Sequence, residues 1–144
     1  EIRLSLVGSE MCIRDSFKQN LTAYQKKKLA FKRGLRAEKY AGWLLRLKGY
    51  KILAHRYKTP CGEIDLIARR KHLVLIVEVK ARDKLTEGAE ALSLQSQRRI
   101  KAATQYWLAR QKGYEELCIR FDLIVCCPKK WPAHFMAFFT DDYC

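Results

Sequence analysis

The chain has 144 residues, 49% of them hydrophobic and 11% aromatic, which is enough to bury a core and too apolar for intrinsic disorder. It carries 29 Lys and Arg against 15 Asp and Glu, and the resulting net charge of +14 points to a polyanionic partner, nucleic acid first. No apolar run approaches the ~20 residues that span a bilayer, so no membrane partner is expected.

The first methionine is Met11, and residues 5–16 read SLVGSEMCIRDS, which resembles a translated sequencing-adapter segment. Residues 1–16 are therefore expected to be a non-native, disordered segment, followed by one domain over residues 17–144. Residues 17–58 hold thirteen Lys and Arg against a single acid, Glu38, a local net charge of +12. Such a run is either a solvated basic face or a phosphate-binding surface.

Helical spacing of Ala37, Ala41, Leu44, Leu45 and Lys48 predicts a helix over residues 35–48, stopped by Gly49. A strand follows over 50–57, with Tyr50, Ile52, Ala54 and Arg56 alternating against Lys51, Leu53 and His55. Thr59-Pro60-Cys61-Gly62 reads as a turn, with the glycine allowing an unusual backbone angle. Two further strands, 63–68 and 73–80, flank the polar loop Arg69 to His72, and residues 85–91 read as irregular. A second helix is predicted over 93–112, with Ile100, Ala103, Thr104 and Trp107 as its buried stripe and Gly113 as its stop. The run 118–127 is a strand, apolar except for Arg120 and Asp122 and ended by Pro128, and a last short strand covers 134–140. The order α-β-β-β-α-β specifies an α/β fold with a mixed central sheet flanked by helices.

The six cysteines lack metal-finger spacing, and the adjacent Cys126-Cys127 pair suits neither a zinc site nor a disulfide framework. Free thiols in a reducing cytoplasm are expected, and a Cys/His zinc site using His134 is the lesser alternative.

The hairpin carries the chemistry. With Arg69 to His72 as its loop, Ala68 faces Leu73. One face is then Ile64, Leu66, Ala68, Leu73, Leu75, Val77 and Val79, wholly apolar. The other carries Ile67, Val74 and Ile76 near the turn and Glu63, Asp65, Glu78 and Lys80 at the far end. In this register Glu63 lies opposite Glu78, with Asp65 its diagonal neighbour. Like charges so close are costly unless a cation joins them, and Mg²⁺ suits the site because it takes one or two carboxylates and keeps positions for water and phosphate. A solvent-facing ladder of salt bridges is the bland alternative. The apolar residues on the same face weaken it, because they call for cover.

Gly62-Glu63-Ile64-Asp65-Leu66-Ile67-Ala68, followed by Val77-Glu78-Val79-Lys80, resembles the YraN family of uncharacterised bacterial proteins. That family is grouped with the PD-(D/E)XK nuclease-like fold of restriction endonucleases and archaeal Holliday junction resolvases. The resemblance runs from about Arg33 to Phe138. It implies a restriction-endonuclease-like core in which Asp65, Glu78 and the Val79 carbonyl bind Mg²⁺, with Mn²⁺ as an alternative. It implies that Lys80 orients the attacking water and stabilises the phosphate, and that Glu38 on the first helix joins through metal-bound water. The bland alternative for Glu38 is an i, i+4 surface pair. Gln97 matches the glutamine of resolvase-like members, and reads equally well as an exposed helical residue. Ile64 replaces the proline that names the superfamily, and Gln95-Ser96 stands where basic residues are expected.

The activity implied is metal-dependent endonucleolytic hydrolysis of DNA, branched DNA being the first substrate to try. Arg33, Arg36, Arg56, Lys58, Arg82, Arg98 and Arg99 would hold the phosphate backbone. Resolvases act as dimers, so a homodimer is compatible with the resemblance. The principal rival is a nucleic-acid-binding protein without catalysis. A third reading, a protein-binding scaffold using Trp107, Trp131 and the aromatics of residues 135–139, is weaker because such residues more often form core.

Overall fold

A computed structural model describes residues 21–89 and 92–140, and residues 1–16 lie outside these. Helix α1 spans Ala23–Leu47, strands β1 Lys51–Thr59, β2 Gly62–Arg70 and β3 Leu73–Ala81, helices α2 Leu85–Ala89 and α3 Leu94–Leu108, and strands β4 Cys118–Cys126 and β5 Ala133–Phe139. Residues from Gly34 onward form one compact unit, and the earlier turns of α1 belong to another. The five strands make one sheet in the order β1-β2-β3-β4-β5, antiparallel throughout except for the parallel pair β3 and β4. This is the mixed α/β sheet that the sequence predicts.

The first helix begins twelve residues before the predicted start. Its signal is a capping box: Gln25 N–H donates to Thr22 Oγ1, and Thr22 N–H to Gln25 Oε1. Apolar periodicity is silent there because Lys26 to Lys28 occupy the turn. The helix ends in a Schellman motif, with Gly49 at φ 83°, Gly49 N–H on the Arg46 carbonyl and Tyr50 N–H on that of Leu45. Helix α3 starts at the Ser93 cap, whose Oγ accepts from Ser96 N–H. It stops at Leu108, short of the predicted 112, because residues 109–111 tighten into a non-helical turn closed by Arg110 and Gln111 N–H on the carbonyls three residues back. Residues 85–89, expected to be irregular, form the short α2.

Two apolar layers enclose the sheet. On one face Ala37, Ala41, Leu44 and Leu45 of α1 cover Leu66, Ala68, Leu75, Val77 and Val79. On the other, Ile100, Ala103 and Trp107 of α3 cover Ile64, Ile67, Val74, Ile76, Ile119 and Phe121. Phe139 of β5 stacks on Phe121 at 4.6 Å, and Trp107 is core, which removes both from a protein-binding surface. In β1 a register shift between Ile52 and Ala54 breaks the predicted alternation, so Ile52 packs with the α1 layer and Ala54 with the α3 layer. Among the described residues, no helix is long and apolar enough to cross a membrane.

The predicted hairpin register is wrong by two residues. Arg70 pairs with Leu73 and Leu66 with Val77, leaving Lys71-His72 as a two-residue turn with Lys71 at φ 56°. Such tight turns match strand twist through a positive φ. The error is even, so no side chain changes face by register alone. Glu63, however, is not opposite Glu78: it pairs with Lys58 of β1, and continuation of the β2–β3 register sets Asp65 opposite Glu78. The β2–β3 pairing stops at Leu66 and Val77, and beyond it Ile64 leaves the expected face to join the α3 layer.

Gly62 serves space rather than an unusual φ. A Cβ there would lie 3.0 Å from the Arg99 carbonyl oxygen, so bare backbone lets β2 approach α3. Gly62→Ala is expected to lower stability by about 1–3 kcal/mol in urea denaturation. An unchanged midpoint would mean that α3 yields freely at this point.

Candidate active site

Four elements contribute charged groups to one end of the sheet: Glu38 from α1, Arg56 from β1, Glu63 and Asp65 from β2, and Glu78 and Lys80 from β3. Asp65 is anchored where the β2–β3 ladder ends. Its Oδ2 accepts the Val79 N–H at 2.8 Å, replacing a strand partner with a carboxylate. Lys80 Nζ donates to Glu78 Oε1 at 2.5 Å. Arg56 Nε donates to Glu63 Oε1 at 2.9 Å and stands 3.9 Å from Glu38 Oε2. Arg56 has φ 48°, a left-handed backbone unusual for a strand arginine, and the strain sits beside this cluster.

Burial, then the nearby Glu78 charge, push Asp65 up to about 7; Glu38 adds to the rise, and the Val79 N–H and Lys80 work against it. Burial also raises Glu38, opposed by Arg56 and reinforced by Glu63 and Glu78. Four carboxylates thus share two cations, and desolvation sharpens their repulsion.

Among the described residues, no three His, Cys, Asp or Glu side chains form a ready-made metal cage. Mg²⁺ does not require one, since it keeps most of its waters and takes one or two carboxylates. Asp65 and Glu78 supply such a pair with surplus negative charge. A strand residue presents its N–H and C=O to the same neighbour, so the Val79 carbonyl opens toward Asp65 as a third donor. The donor set fits a hard divalent cation.

The other residues singled out in sequence lie around or apart from this cluster. Gln97 is turned to the backbone: its Nε2 donates to the Leu92 carbonyl at 3.3 Å, and among the described residues no carboxylate shares a hydrogen bond with it. Arg36 is exposed on α1, Lys58 on β1, and Arg98 and Arg99 on α3. Arg82 follows β3, its N–H on the Cys126 carbonyl and its Nη1 on that of Ala81. Arg33 is half-buried and belongs to the earlier unit of α1.

A second polar network escapes the sequence reading. Asp122, fully buried in β4, accepts from Arg120 Nε and Nη2 at 2.8 Å each, and from the Ala137 N–H at 2.9 Å. His134 Nε2 lies 2.8 Å from Asp122 Oδ2, and its Nδ1 lies 2.8 Å from Lys48 Nζ. An ammonium only donates, so Nδ1 accepts and Nε2 carries the proton given to Asp122. With both ring nitrogens engaged, His134 is not a zinc ligand here. Cys61, Cys126 and Cys127 are free thiols, whereas Cys118 is disulfide-bonded, against the expectation of free thiols throughout. The cue to this network is the charged pair Arg120 and Asp122 within an apolar strand.

Comparison with known proteins finds a match of residues 37–126 to the model of the uncharacterised protein family UPF0102. A UPF0102 protein of Bartonella tribocorum is 60% identical over 113 residues, covering 78% of this chain and 87% of the relative. One from Bartonella henselae is 58% identical over 113 residues, covering 78% and 90%, and one from Brucella canis is 52% identical over 116 residues, covering 81% and 92%.

Proposed function

The chain belongs to the uncharacterised family UPF0102, and we propose that its members of this form are metal-dependent nucleases that hydrolyse DNA phosphodiester bonds. The observation that carries the reading is the meeting of Asp65 and Glu78 at the end of the β2–β3 ladder, with Lys80 held on Glu78. The resemblance of this strand pair to PD-(D/E)XK enzymes supports it. Asp65, Glu78 and the Val79 carbonyl would hold Mg²⁺ or Mn²⁺. When bound, such an ion supplies Lewis-acid stabilisation of a phosphate and lowers the pKa of a water.

The residues of the chain then divide the remaining work. Lys80 places a positive charge where negative charge grows on the phosphate. Glu38, raised by burial, is suited to hold a proton or a water at the edge of the cluster. Arg36, Lys58, Arg82, Arg98 and Arg99 hold the DNA backbone without reading bases, so affinity falls steeply with salt. In this reading the protein works in the cytoplasm, and a homodimer would match two strands of a junction.

The test incubates the protein with linear, nicked and four-way-junction DNA, with Mg²⁺, with Mn²⁺ and with chelator. Metal-dependent cleavage that falls at least about 10²–10³-fold in both Asp65→Ala and Lys80→Ala is expected. Tight DNA binding with no cleavage of any substrate would instead favour a binding protein without catalysis.

A further inference from the structure

The outer face of α1 has no part in the carboxylate cluster or the core, and only Arg36 on it joins the proposed DNA-backbone contacts. Ala37, Ala41, Leu44 and Leu45 face the sheet, and at 100° per residue Lys39, Trp43 and Arg46 fall on the opposite side, with Arg36, Leu47 and Tyr40 following along one flank. Tyr40 is 62% exposed, Trp43 69% and Leu47 71%. Large apolar side chains gathered on an exposed helix face mark an interaction surface. Their neighbours on that face are cations, and Glu38, the one acid of this region, turns instead toward Arg56.

We infer that this face, with Tyr40 and Trp43 set among Arg36, Lys39 and Arg46, is a stacking platform for single-stranded nucleic acid. The inference rests on the nucleic-acid reading above and names the form of strand bound. Aromatic planes accept the faces of unpaired bases, while interleaved cations follow the phosphates. A duplex hides its base faces and gives the aromatics nothing to stack on. A partner of mixed charge is a poorer match, because this face carries three cations and no acid, a balance that favours a polyanion. Arg36 to Arg46 span roughly 15 Å of helix, and the same helix carries Glu38 on its flank. An unpaired strand held on the platform would thus run along the helix that also supplies Glu38, as a frayed end or a branch point would present it.

The test measures binding in chelator, so that cleavage is silent. In a Trp131→Phe background, Trp43 is the exposed indole, because Trp107 is buried. Oligo(dT) of about twenty nucleotides is expected to quench its emission, and a duplex of equal length to do so weakly. By anisotropy of labelled oligo(dT), Trp43→Ala should weaken binding about 10-fold or more and Trp43→Phe less than about 3-fold, with duplex binding little changed. Because Trp43 is exposed, the variant should melt with the parent. If it does not, Tyr40→Ala, also exposed, should weaken oligo(dT) binding alone.

Unchanged oligo(dT) affinity in folded Trp43→Ala would overturn the inference. So would loss in that variant of self-association, or of binding to phosphatidylserine vesicles, where oligo(dT) itself does not bind. A protein that binds oligo(dT) through Trp43 and cleaves nothing would keep the platform and reject the nuclease. Cleavage undiminished in Trp43→Ala, with single strands bound no better than duplex, would do the reverse.

Discussion

Asp65→Asn is expected to abolish the metal-dependent cleavage proposed above while making the metal-free protein more stable at pH 8. The carboxylate is buried beside Glu78 and Glu38, which holds its proton up to about pH 7, against about 3.9 in the unfolded chain. Below pH 4 both states carry the proton. Between pH 4 and 7 only the folded state does, so stability falls as pH rises through that window and levels off above it. Asparagine has no charge to desolvate and still offers an oxygen to the Val79 N–H. The variant should gain roughly 1–3 kcal/mol at pH 8 and little at pH 4, in thermal melts with chelator present. Added Mg²⁺ should raise the melting temperature of the parent and leave the variant unmoved. Parallel pH profiles for the two proteins would show that Asp65 is not strained in the folded state.

Asp122→Ala should be the most damaging single change to the fold. Its carboxylate satisfies the Arg120 guanidinium, the His134 ring N–H and the Ala137 N–H, joining β4 to β5 and, through His134 and Lys48, to the residue just past the end of α1. Alanine would leave two donors without an acceptor and the Arg120 guanidinium without its carboxylate, a loss of about 3–5 kcal/mol. Burial alone would raise Asp122, but hydrogen bonds from His134, Arg120 and Ala137 outweigh it and hold the group below the usual carboxylate range. The stability it confers is therefore present above about pH 4 and lost as pH falls through its lowered value. Chemical denaturation at pH 7 and pH 3 checks both points. A cost under about 1 kcal/mol at pH 7 would mean that the network contributes little.

The two carboxylates differ in how they could be found. Asp65 stands in an alternating strand with Glu78 and Lys80 on a matching one, and period 2 puts them on a common face for any even turn. The four-residue loop assumed from sequence was wrong, yet the cluster survives because the turn has two residues. Glu63 does not survive in its expected place: it is drawn to Arg56, whose left-handed backbone no local propensity predicts. Asp122 was visible only as a charge in an apolar run. Its partner His134 lies 12 positions away in the chain and that histidine's own partner, Lys48, 74 positions away, and only the β4–β5 pairing and the end of α1 bring them together.

Sequence by itself determined the kind and order of the main elements, the apolar stripes of both long helices, the excess of positive charge, and the strand pair that bears Asp65, Glu78 and Lys80. These follow from local rules: helical spacing, strand alternation, turn residues and glycine stops. Tertiary structure decided the register of the hairpin, the break in β1 after Ile52, the displacement of Ile64 to the α3 layer and the partners of Glu63 and Asp122. Each depends on which distant backbone fills a ladder position or which distant charge shares a buried space, and those energies are set only when the sheet and its two helical layers close on one another.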